Sequence, residues 1–299
     1  MRIARYQNGN AWVEMYDDGT RIIETHGDEP FDFEYPLNND ITITHKCDGG
    51  CPFCYLGCTP NGKHADILSP KFLDTVLPGT EMAINLNDLS HPQLEEFMRK
   101  MREHGVFLNG TVNQIHFMRH RQTLKRMCDE HLLWGIGVSL RSADEEFVKA
   151  VSEFPNAVVH VINGILKAED LEAMRDKGLK LLILGYKDLN RGANYHLENE
   201  ATVRMRQKYL YGVLPTLSSH FKVISFDNLA IEQLNVRRLL TQEQWDEFYQ
   251  GDEGTATFAI DLVDGTFGRN SMATGDDVYP IMDDIRDMFT VIKRESKHD

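Results

Sequence analysis

The chain has 299 residues, 41% of them apolar and 26% charged, so it can bury a substantial core and is not disordered. Its formal net charge of −14 has the wrong sign for coating nucleic acid through many phosphate contacts. That charge leaves room for a basic peptide substrate or a local pocket for one nucleotide or phosphate. No run approaches the roughly 18 consecutive apolar residues of a membrane helix. The opening MRIARYQNGN has no signal-peptide core. A cytoplasmic protein with no membrane and no bulk nucleic acid as partner is expected.

Residues 2–6, 11–16 and 21–25 are short, partly alternating runs separated by turn signals at Asn8-Gly9 and Asp18-Gly19. This is the pattern of a small β-meander. Residues 28–39 hold two prolines and many acidic or amide side chains, which suits a connector and closes an N-terminal unit at 1–39. From Asp40 the texture changes. Strand patterns at 41–44, 81–86, 106–108, 134–140, 157–162 and 180–184 take turns with helix patterns at 92–104, 115–131, 144–153, 168–177 and 198–210. Such alternation predicts about six βα units around a parallel sheet within 40–220, fewer than the eight of a closed barrel. The expected class is α/β, a partial (β/α)6 TIM-like barrel, with a doubly wound sheet as competitor. In a C-terminal extension at 221–299, strands at 255–263 and 266–272 flank Asp264-Gly265 as a hairpin, and a closing helix is expected over 278–293.

Four of the five cysteines, Cys47, Cys51, Cys54 and Cys58, lie within twelve residues. In a reducing compartment such a group reads as metal binding or catalysis, not as a disulfide framework. Three thiolates at C-x3-C-x2-C can converge from one loop onto one metal centre, and Gly49 and Gly50 ease the tight wrap. An iron–sulfur cubane usually takes four cysteines, so three would leave one iron open to chelate a small molecule. With Cys58 the group also offers zinc its preferred four sulfurs, although zinc sites usually pair C-x2-C spacings across a longer insert. Cys128, within the helix predicted at 115–131, suits core packing. Met98, Met101, Met118 and Met127 are core positions by spacing.

The spacing C-x3-C-x-aromatic-C after a first β-strand resembles the signature of the radical S-adenosylmethionine (SAM) superfamily. The resemblance implies a [4Fe–4S] cluster on Cys47, Cys51 and Cys54, whose unique iron binds the amino and carboxylate groups of SAM. One electron then cleaves SAM to a 5′-deoxyadenosyl radical that takes a hydrogen atom from the substrate. It places Phe53 near the adenine. The family's Gly-Gly-Glu-Pro stretch has its counterpart in Asn85-Leu86-Asn87-Asp88, followed by His91-Pro92 and a helix. There Asn85 and Asn87 offer carbonyl oxygens to the SAM ammonium group. Asn113 after the third strand, Ser139 and Arg141 at the end of the fourth, and Asn163 at the fifth match further cofactor-contacting positions. All fall at the C-terminal ends of strands, where parallel barrels build their active sites. Cys58 would defeat the mechanism as a fourth ligand, so it is read as a bystander or as a thiol that returns a hydrogen atom to a substrate radical.

His64 is a candidate to face the substrate, with a solvated loop as the plainer reading, and His91 reads as a helix-start residue. Tyr186, Lys187 and Arg191 follow the sixth strand, where they suit a carboxylate or phosphate at the barrel mouth or form an ordinary polar βα loop. The absence of cysteine after Cys128 implies a single cluster. The implied partners are a reductant such as flavodoxin or ferredoxin and a peptide or small-molecule substrate. Strand edges in the meander and the hairpin favour a ribosomal peptide or protein, by Cα epimerisation or cross-linking. The alternatives are a nucleoside or small metabolite and, further off, a non-catalytic zinc-binding protein. The radical chemistry calls for a closed, largely apolar cavity capped by the N- and C-terminal additions.

Overall fold

Three antiparallel strands open the chain: β1 (Arg2–Asn8), β2 (Ala11–Tyr16) and β3 (Arg21–Thr25). The computed structural model describes residues 1–27, 29–87, 89–249 and 251–295, so Asp28 of the connector and Asp88 lie outside the described residues. Asn8 anchors the connector: its Oδ1 accepts from the Glu34 and Tyr35 amides at 3.0 and 2.8 Å, and its Nδ2 donates to the Tyr35 carbonyl at 2.8 Å.

Next come parallel strands, β4 (Asn38–Thr42), β5 (Glu81–Asn85), β6 (Phe107–Asn113), β7 (Gly135–Ser139), β8 (Ala157–Ile162), β9 (Lys180–Leu184) and β10 (Val223–Phe226). Helices α1 (Leu94–Glu103), α2 (Gln114–Asp129), α3 (Glu145–Ser152), α4 (Ala168–Met174) and α5 (Arg191–Leu217) alternate with them, and α6 (Asn228–Gln233) and α7 (Gln242–Phe248) follow β10. The chain ends with β11 (Thr257–Asp261), β12 (Thr266–Gly268), β13 (Val278–Pro280) and α8 (Ile285–Glu295). Among the described residues, ten strands form one sheet in the order β10-β9-β8-β7-β6-β5-β4-β11-β12-β13. The architecture is the expected α/β partial barrel.

Some local expectations need correction. The parallel sheet runs past residue 220, because β10 pairs with β9; this four-residue edge strand is too short to show a clear alternation. Residues 278–280 are strand, not the start of the closing helix. Val278, Tyr279 and Pro280 pair instead with Gly268, Phe267 and Thr266 of β12. The second hairpin strand stops at Gly268 because Asn270 folds the chain, its Oδ1 accepting from the Met272 amide at 2.8 Å. The helix expected at 198–210 is the middle of the longer α5, which breaks its regular geometry at Asn199 (φ −127, ψ 23).

Period-two alternation divides each barrel strand between two environments. On β7, Ile136 and Val138 are buried under the helices while Gly135, Gly137 and Ser139 face a central cavity. The outer layer is bulky. Phe97, Met98 and Met101 of α1 and Phe117 of α2 are fully buried, and the Phe117 ring meets that of Phe154 at 5.1 Å in a T-shaped contact. Each such side chain contributes about 1.5–3 kcal/mol through burial. Met127 is buried with them, and Met118 and Cys128 pack against this core. The meander lies at the N-terminal ends of the barrel strands. Arg21 pairs there with Glu81 at the start of β5, and Tyr16, Asp17 and Asp18 line the same end of the cavity.

Candidate active site

The strand β4 delivers the chain into a loop that carries all four clustered cysteines. Side chains from three other elements fix that loop. Asn85 spans the crossing, accepting from the Ile43 amide at 2.7 Å and donating to the Thr44 carbonyl at 2.8 Å. Arg141 donates to the Gly49 carbonyl at 2.7 Å. Arg191, at the start of α5, donates to the carbonyls of Cys51 at 3.1 Å and Cys58 at 2.9 Å. Gly49 is required by close approach, since a Cβ there would stand 2.1 Å from Asn113 Nδ2 and 3.2 Å from Cys47 Sγ.

Cys47, Cys51, Cys54 and Cys58 all line a cavity of about 1270 Å³ that runs from this loop through the barrel to the meander. Cys47, Cys51 and Cys54 are partly accessible, and Cys58 is buried. Desolvation by burial pushes the Cys47 and Cys51 thiols up. A hydrogen bond from Cys58 holds Cys54 down at about 6 and pushes Cys58 itself up. The donor set suits a multi-iron cluster better than a single ion. Among the described residues, no three of these sulfurs lie within 4.8 Å of one another. Sulfurs bound to one zinc at about 2.3 Å would sit roughly 3.8 Å apart. The guanidinium groups of Arg141 and Arg191 also lie close enough to favour a Cys51 thiolate.

The structure sorts the other expected cofactor residues. Phe53, Asn85, Asn87, Asn113 and Ser139 line the cavity near its cysteine end. Phe53 also meets the Tyr195 ring edge-on at 5.8 Å. Asn87 Nδ2 donates to Cys58 Sγ at 3.3 Å, and its Oδ1 has no hydrogen-bond partner among the described residues. Asn113 caps α2 through the His116 amide at 3.0 Å and approaches Cys47 Sγ with its Nδ2 at 3.9 Å. Asn85 reaches the cavity, but its amide is committed to the loop backbone. Arg141 and Asn163 do not line the cavity. Arg141 is turned to Gly49. Asn163 is buried and donates to Gln233 Oε1 at 3.0 Å, because the alternation of β8 brings Ile162 and not Asn163 to the inner face.

His64 is absent from the cavity wall; its Nδ1 meets Thr44 Oγ1 at 2.9 Å and its ring stacks edge-on with His91. His91 is buried ahead of α1, its Nε2 at 3.1 Å from the Ala65 carbonyl. The mouth residues expected to meet an anion are committed to protein partners instead. Tyr186 donates to the Gly192 carbonyl at 2.7 Å, Lys187 donates to Ser271 Oγ at 2.7 Å, and Arg191 clamps the cysteine loop. Sequence reasoning passed over Arg191 as a loop clamp and Asp40 and His160 as cavity residues. For the last two the available signal was a polar residue at an alternating strand position. The cavity is largely apolar, as expected, and both are among the polar side chains that interrupt its wall. The N-terminal addition closes the end remote from the cysteines, while the C-terminal one lines the mouth with Asp264, Asn270 and Ser271.

The fold matches solved structures of SuiB from Streptococcus suis. A crystal structure of SuiB bound to S-adenosylmethionine superposes with a TM-score of 0.53 at 14% identity, covering 87% of this chain and 66% of that one. A second SuiB crystal structure gives 0.52 at 12% identity with the same coverage. The likeness is one of fold, over about two thirds of the SuiB chain. No protein-family model and no curated protein sequence matches the chain. Among the described residues, no helix is long and apolar enough to cross a membrane.

Proposed function

We propose that this chain is a radical SAM enzyme that acts on a ribosomal peptide or protein, by epimerisation or cross-linking, with its substrate held in the barrel. The observation that carries the reading is the placement of Cys47, Cys51 and Cys54 on one clamped loop at the open end of a hollow barrel. These three side chains would hold the [4Fe–4S] cluster. When bound, the cluster and SAM supply a one-electron cleavage that yields a carbon radical able to take a hydrogen atom.

The protein's own contribution is position and exclusion of water. Arg141 and Arg191 fix the loop that presents the thiols. Asn87 lines the cavity with an amide oxygen that has no hydrogen-bond partner among the described residues, suited to a cofactor ammonium group, and Phe53 contributes an aromatic ring to the same wall. Cys58 keeps a buried thiol on the cavity wall, supported by Asn87, in a place to return a hydrogen atom to a substrate radical. A flavodoxin or ferredoxin would supply the electron.

Anaerobic reconstitution with iron and sulfide, followed by reduction in the presence of SAM, should release 5′-deoxyadenosine. Cys51→Ala should abolish both bound iron and nucleoside release while far-ultraviolet circular dichroism stays unchanged. A fully loaded cluster that releases no nucleoside would refute the reading.

A further inference from the structure

The interior of a parallel barrel is normally packed with layers of bulky branched side chains. Here several inward positions are small: Ala83 on β5, Gly135 and Gly137 on β7, Ser225 on β10 and Ala259 on β11. Their size helps to keep the lumen open. In the middle of its wall stands Asp40, in register with Ala83 on one side and Ala259 on the other, neither able to reach its carboxylate. Asp40 is accessible from the lumen yet enclosed by protein, and desolvation pushes its carboxyl up.

The other enclosed carboxylates of the lumen are accounted for. Glu81 pairs with Arg21 and accepts from Asn109 Nδ2 at 2.9 Å. Asp227 accepts from the Gly185 and Ala230 amides, both at 2.8 Å. Asp261 meets His45 Nε2 at 2.8 Å. Asp40 has neither a hydrogen bond nor an ion pair among the described residues. Lys187 is attracted to it but is held by Ser271 and sits 4.2 Å over the Tyr55 ring. His160 brings no charge, since burial lowers its pKa to about 4. Lys180 lies with Lys222 and Asp18, the last in the meander turn.

An enclosed carboxylate with no hydrogen-bond or ion-pair partner, sharing the charge of Lys187 with Asp227 and Glu253, is costly unless something pairs with it. We infer that the substrate carries a cationic group, an ammonium or guanidinium on a peptide side chain, that enters the lumen and pairs with Asp40. The inference rests on the reading of the barrel as the substrate chamber and adds the chemical class that the chamber selects.

The test offers the cluster-reconstituted protein, with SAM and no reductant, an equimolar pool of acetyl-Ala-Xaa-Ala-amide tripeptides covering the natural side chains. Retained peptides are counted by mass spectrometry after spin filtration. Wild type should enrich the Lys and Arg peptides about tenfold over their Met and Gln counterparts, a difference of about 1.4 kcal/mol. Asp40→Asn, nearly isosteric, should lose that enrichment, and the surface control Asp246→Asn should keep it. Retention that is even, absent, or richest in acidic peptides overturns the inference, as does enrichment that survives Asp40→Asn. Because no SAM cleavage is involved, such a result beside normal 5′-deoxyadenosine release would sink this inference alone.

Discussion

The two faces of the barrel strands have the same backbone and opposite contents. Outward from β5, β7 and β8 point Met82, Ile84, Ile136, Val138, Val159 and Val161, all buried under the helices. Inward from the same strands point Ala83, Asn85, Gly135, Gly137, Ser139, Val158 and His160. The outer face supplies most of the apolar burial, so the inner face is free to stay hollow and to carry polar side chains among its apolar ones. Stability and chemistry are thus assigned to alternate residues of one strand. The corollary is that substitutions on the two faces should fail in different assays.

The largest effect is expected outside. Phe117→Ala, fully buried between α2 and the rings of Phe147 and Phe154, should cost about 3–5 kcal/mol in urea unfolding. Iron bound per folded molecule should not change. A Phe117→Ala protein of normal stability that bound no iron would break the division between the faces. At the mouth, Gly49→Ala forces a methyl to within 2.1 Å of Asn113 Nδ2, so the loop or Asn113 must move. An overpacking cost of about 1–3 kcal/mol is expected, with reduced iron content as the larger signal. On the inner wall, Ser139→Ala removes a hydroxyl that faces the cavity and should change stability by no more than about 0.5 kcal/mol.

The smallest effect sharpens the outer boundary. Arg126 and Arg99 hold the Glu95 carboxyl at about 2, below its ordinary 4.5, tying α1 to α2. Because the folded pKa is the lower one, this contribution is full above about pH 4.5 and is lost as pH falls toward 2. The side chains are more than a third exposed, so Glu95→Gln should cost about 0.5 kcal/mol or less at neutral pH and nothing in strong salt. Parallel pH–stability curves for the variant and the parent below pH 4.5 would remove the pair from the account.

The sequence pattern made the outer face legible and the inner face only partly so. Strands 157–162 and 180–184 were readable to the residue because each is bounded by helix patterns and rich in β-branched or aliphatic side chains. The cysteine loop was legible because thiol spacing is local. What a side chain does with its hydrogen bonds is not local. Arg141 and Asn163 sit at the strand ends where a cofactor residue belongs, yet one braces Gly49 and the other meets Gln233, 70 residues away in the chain. Asp40 was hidden for a related reason. The strand begins at Asn38, ahead of the alternating run at 41–44, so Asp40 lies within it and, between the buried Asn39 and Ile41, faces the cavity. The hairpin's return as β13 depends on pairing with β12, which the helical pattern around it masked.

Under the proposed function, three thiols at the mouth of a hollow barrel would hold a cubane with one iron left to a small molecule. Electron paramagnetic resonance of the reconstituted, reduced protein tests it most directly, recorded with and without SAM. A [4Fe–4S]⁺ signal that changes shape when SAM is added is the expected result. A spectroscopically silent zinc protein, or a cubane signal that SAM leaves unaltered, would contradict it.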